Sequence, residues 1–114
     1  MRESTAAATP GPELVRDAFA GLQATLGETC TVGAGDCAYF LGRVHDELIR
    51  LDTAMKADPK GPGHFPEPLA WIADLRTTLD GDTSTKNLEA HRTELIRVRD
   101  RINVWMQDHP DDYS

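Results

Sequence analysis

Two stretches of the chain place apolar residues at alternating steps of three and four. Leu88, His91, Leu95, Val98, Ile102 and Trp105 form one series, with His91 standing where an apolar residue is expected. Cys37, Leu41, Val44, Leu48, Leu51 and Met55 form the other. Such steps put each series on one face of a helix, and a 3.5-residue period is that of helices packed along a shared seam. Two shorter stripes accompany them. Leu14, Val15, Ala18, Phe19, Leu22 and Leu26 predict a helix from about Pro12 to Gly27, since proline suits a first helical turn and glycine a stop. Leu69, Ile72, Leu75 and Leu79 predict another, opening near Pro66 or Pro68 and closing at Asp80-Gly81.

The residues between the stripes fix the boundaries. Asp36 is suited to cap the second helix through its carboxylate, and Asp58-Pro59 ends that helix near Ala57. The segment DPKGPGHFPEP reads as an extended linker with Phe65 as its apolar anchor. DGDTSTK reads as a short turn with Thr83, Ser84 or Thr85 as the next cap, and Pro110 ends the fourth helix near Asp108. No β-alternation of useful length occurs. The pattern therefore predicts an all-α protein, a four-helix up-down bundle over residues 12–109 with a Pro/Gly-rich linker between helices two and three. Residues 1–11 read as a disordered arm and residues 110–114 as a loose acidic tail.

Composition changes this picture little. A chain of 114 residues with 39% hydrophobic and 27% charged residues makes one ordinary globular domain. No apolar run approaches the roughly 18 residues of a membrane span. The N-terminal stretch lacks the apolar core of a secretory signal, which points to a cytoplasmic protein without membrane association. A net charge of −7 argues against direct nucleic-acid binding, whose affinity comes from cations on phosphates. It leaves room for an acidic mimic of nucleic acid. Nine Arg against three Lys, with many Ala, Gly and Thr, suggest a high-GC source such as an actinobacterium or its phage.

Candidate chemistry is sparse. Cys30 and Cys37 bracket a Gly-Ala-Gly turn that can bring them within disulfide range, yet a reducing cytoplasm would keep them as thiols. The glycines of that loop lack the Lys-Ser/Thr pair of a phosphate-binding loop. His45 and His91 can share a layer if helices two and four run parallel, which would suit a metal or small-ligand site in a bundle. His45 points roughly 85° away from its own seam, however, so His91 is expected to be a core residue without a metal. No nucleophile elbow or other catalytic pattern is present. The chain is thus expected to be non-enzymatic, with no cofactor and no metal.

Apolar residues off the seams point elsewhere. Ile49 and Ile96 lie about 125 to 130° from the centres of their core faces, at 100° per residue. Tyr39 and Val104 lie further round, and Trp71 sits at the edge of its stripe. These five mark candidate protein-binding surface, Ile49 and Ile96 on separate patches. The partner is either another protein, with this chain as adaptor, regulator or inhibitor, or a second copy in a homodimer. The scattered charges of the last helix, Arg92, Arg97, Arg99 and Arg101 among them, read as a solvated face.

Overall fold

A computed structural model describes residues 13–33 and 35–113; the expected N-terminal arm lies outside them. Among the described residues the chain is helical and contains no strand. Its five helices are α1 (Val15–Gln23), α2 (Cys37–Lys56), α3 (Pro66–Leu79), α4 (Thr85–Ala90) and α5 (Arg92–Asp108). Single 3₁₀ turns at Pro62–His64 and Pro110–Asp112 complete it.

Helix α2 is the element on which the others pack, touching α1, α3, α4 and α5. Its sequence explains why. All six residues of its seam, Cys37, Leu41, Val44, Leu48, Leu51 and Met55, are 0% exposed. Phe40 and Ala54 widen the buried stripe, so neighbours can cover it from several sides. One core cluster draws on all five helices and on Phe65, which anchors the linker as its isolation among prolines suggests. A buried carboxylate, Asp52, sits at the edge of this stripe, 2.9 Å from Lys56 Nζ and 3.6 Å from Arg76 Nη1 of α3.

Ends are set by local chemistry. Ser84 Oγ accepts the Asn87 backbone N–H at 3.3 Å and caps α4. The Ser84 backbone N–H, donated to Asp82, holds that carboxyl below its usual range. Helix α3 closes as its sequence predicts, with Asp80 in the left-handed region at φ 54° and Gly81 at φ 75°. Asp36 does precede α2 but makes no side-chain cap, its backbone being at φ −107°, ψ 1° instead of the extended region a cap needs. Helix α1 is shorter at both ends than its stripe implies: Leu14 is exposed and Thr25 turns the chain out of the helix.

The predicted fourth helix is two helices. At His91 the backbone leaves helical geometry (φ −112°, ψ 25°), which ends α4 and starts α5. The His91 ring shares the Asn87 carbonyl with the backbone, its Nδ1–H donating at 3.0 Å beside the backbone N–H at 3.1 Å. A side chain inserted into the ladder is a recognised cause of a break. The break shifts the phase of the buried stripe. Leu88, Leu95, Ile102 and Trp105 are buried as the period predicts, but His91 and Val98 are half-buried and Arg99 takes a core position at 3% exposure.

Two further expectations are corrected. The tail is not loose over residues 110–113. Tyr113 packs edge-on against Phe19 with ring centroids 5.7 Å apart and donates to the Met106 carbonyl at 3.0 Å. His64 Nδ1 lies 3.0 Å from Asp112, and Lys60 Nζ donates to the Asp111 carbonyl at 3.1 Å, so the tail is held by the linker. Nor are the cysteines free thiols. Cys30 and Cys37 form a disulfide, because the intervening turn brings their Cα atoms to 5.0 Å.

Leu48, buried at the middle of the α2 seam, is expected to cost about 2 to 5 kcal/mol when replaced by Ala, read from denaturant melts. Tyr113 supplies a test by pH. Burial raises its phenol above the ordinary value of 10.0, so the folded state favours the protonated form. That contribution is complete below about pH 10 and is lost as pH rises through the higher folded value. Melts of wild type and Tyr113→Phe should therefore converge above pH 10, with the variant weaker by about 1 kcal/mol at neutral pH for the lost hydrogen bond.

Candidate functional site

The loop joining α1 to α2 is bound to the last two helices by three side chains. Arg99 Nη1 donates to the carbonyls of Thr25 at 2.7 Å and Glu28 at 2.9 Å, while its Nε donates to Asp100 at 2.8 Å. The guanidinium carbon also lies 5.9 Å from the Phe40 ring centroid, a cation–π contact. Two turns earlier, Arg92 donates to the Cys30 carbonyl and to Thr29 Oγ1, both at 2.6 Å. Further along the loop, the Gly33 N–H donates to Glu89 at 3.4 Å. Arg92 and Arg99 are seven residues apart, so one side of α5 presents both to the loop.

This arrangement builds one wall of an open groove along α5, of about 740 Å³. Thr29 and Arg92 stand at that wall, and Trp71 of α3 supplies the opposite one. The floor is α5 itself, with Ile96 and Val104 among Thr93, Arg97, Asp100 and Arg101. Arg101 lies over the Trp71 ring, 4.3 Å from its centroid, and so covers part of the indole while leaving its own charge at the groove edge. Trp105 closes the floor. Its Nε1–H donates to Glu67 of α3 at 3.1 Å, and its ring stacks on His109 at 3.9 Å.

Three of the five residues singled out from the sequence, Trp71, Ile96 and Val104, therefore meet in one groove. Val104 is the most open of them, at 59% exposure, with Trp71 and Ile96 half-buried. Ile49 lies apart, in a depression shared with His45, Arg76 and Thr83. Tyr39, 74% exposed, borders another with Arg43 and Asp46. The cations of the groove are not legible in the sequence, because a mixed run of Arg and Asp looks the same on any solvated helix. Arg99, expected on that solvated face, is instead buried. Val32 in the cysteine loop is a further exposed apolar residue, one that no helical stripe points to.

In chemical terms the groove offers apolar surface, two threonine hydroxyls, guanidinium groups and the carboxylates of Asp100 and Asp108; its lining includes no His, Cys or Ser. His45 and His91 are not brought into one site. His45 Nδ1 is 3.1 Å from Asp46, whereas His91 serves the Asn87 carbonyl at the α4–α5 break. Among the described residues no group of three or more His, Cys, Asp or Glu is arranged to hold a metal ion, and no helix is long and apolar enough to cross a membrane. No family model, curated protein or solved structure matches the chain.

Proposed function

We propose that the protein is a small non-enzymatic module that binds another protein chain through the groove between α3 and α5. The observation that carries this reading is the meeting of Trp71, Ile96 and Val104, from two helices, in one open groove. None of the three is needed to complete the α2 seam, which is already closed to solvent. Burying a large apolar side chain at an interface contributes roughly 1.5 to 3 kcal/mol, so three together suffice for specific association. The guanidinium groups at the rim add direction, since Arg can stack and pair at once. We read the architecture as a four-helix up-down bundle whose last member, α4 with α5, is broken at His91. Ile49 and Tyr39 then mark two further contact points, in separate depressions away from this groove.

The acidic-mimic reading is weaker on this face, where Arg92, Arg97 and Arg101 make a poor copy of a phosphate backbone. The disulfide bears on location. Such a bond lasts in oxidising surroundings, which weighs against the cytoplasmic placement.

A photo-crosslinking residue at Val104 tests the proposal in the native cell. A covalent adduct to a protein chain is expected, and Val104→Glu should abolish binding of that chain while changing stability by no more than about 0.5 kcal/mol. Failure to capture any chain, this one included, would refute it.

A further inference from the structure

We infer that the chain seated in the groove is a second copy of this protein, its α5 lying antiparallel on the first. The inference rests on the protein-binding reading and names its partner. Helix α5 already packs against α2, α3 and α4, and the face bearing Thr93, Arg97, Asp100, Val104 and Asp108 is left exposed. Those positions follow helical spacing for nearly the whole length of α5, so the groove suits a second helix better than a compact ligand.

The order of residues along that face selects the partner. Reversed about Asp100, the face pairs its apolar positions with each other and its end charges with opposite ones. In an antiparallel pair Ile96 falls opposite Val104 of the partner subunit, and Arg92 falls opposite Asp108 of the partner subunit. At the two-fold axis Asp100 falls opposite Asp100 of the partner subunit, a like-charge contact that Arg97 and Arg101 flank; Asp100 Oδ1 already accepts from Arg99, which leaves Oδ2 for a flanking guanidinium. A parallel pair would instead set Arg92 against Arg92 and Asp108 against Asp108, opposing like charges at both ends. Antiparallel helix dipoles favour the same choice.

Net charge makes the location informative. Two chains of net charge −7 repel each other over most of their surfaces. That repulsion is least where charges nearly balance, and this groove sets Arg92, Arg97 and Arg101 against Asp100 and Asp108. Each interface residue is used twice by the symmetry, so small contributions double.

Sedimentation equilibrium of the full chain should give twice the chain mass. Val104→Glu, a change at an exposed position, should weaken the dimer roughly 100-fold or more while the helical circular dichroism stays unchanged. Register is tested by mixing Ile96→Cys chains with Val104→Cys chains under mild oxidation and identifying the bridged peptides by mass spectrometry. A 96-to-104 bridge is expected. A 96-to-96 bridge is not, since antiparallel copies hold those positions about 12 Å apart, beyond disulfide reach. A wild-type chain that remains monomeric at every concentration, or a dominant 96-to-96 bridge, would overturn the inference. If the chain is monomeric yet a crosslinker at Val104 captures a different protein, the self-pairing is wrong and the protein-binding reading stands. If nothing is captured, both fall.

Discussion

Arg99 is the residue through which the first part of the chain is tied to the last. Taking a guanidinium out of water is costly, and this one is only 3% exposed. The cost is offset by hydrogen bonds to the carbonyls of Thr25 and Glu28, which lie in the loop beyond α1, where Thr25 also accepts the Glu28 backbone N–H at 3.3 Å. The planar fork of arginine reaches both, and Asp100 together with the Phe40 face balances the charge. Thr25 is itself fully buried, its hydroxyl returned to the Leu22 carbonyl at 2.7 Å, so the turn is closed from within as well. Arginine thus joins two distant segments of the chain through loop carbonyls.

The groove follows from that tie. With the loop after α1 fixed by Arg99, Arg92 can bond Cys30 and Thr29, and the disulfide carries the same loop directly into the first turn of α2. One groove wall is therefore a loop held to α2 covalently and to α5 by hydrogen bonds. The opposite wall is Trp71, set by α3, whose own position is fixed by Ile72, Leu75 and Leu79 in the core. Between two such walls the outer face of α5 stays open. A fixed, open helix face loses little entropy when it is covered.

Much of this scaffold can be read directly from the order of residues. The α2 seam is legible because six apolar residues at a constant period have only one buried solution, and Asp80-Gly81 marks the end of α3 by a conformation few residues tolerate. The break at His91 is not legible, since neither proline nor glycine announces it and the cause is a ring bonding to a carbonyl one turn back. Arg99 is hidden for a related reason: its partners are backbone oxygens far away in the chain, which leave no trace in side-chain pattern. Surplus apolar residues are visible at Trp71, Ile96 and Val104. Their convergence is not, because which helix flanks which is settled by packing and not by any one helix's period.

The dependence of the loop and groove on Arg99 can be examined without altering the protein. Nuclear magnetic resonance of the arginine side chains resolves guanidinium protons whose exchange with water is slowed by burial and bonding. The Nε and Nη protons of Arg99 are expected to exchange far more slowly than those of exposed Arg97 and Arg16. Exchange of Arg99 at the rate of Arg97 would mean that the Thr25 and Glu28 carbonyls are not held, and would contradict the account at its centre.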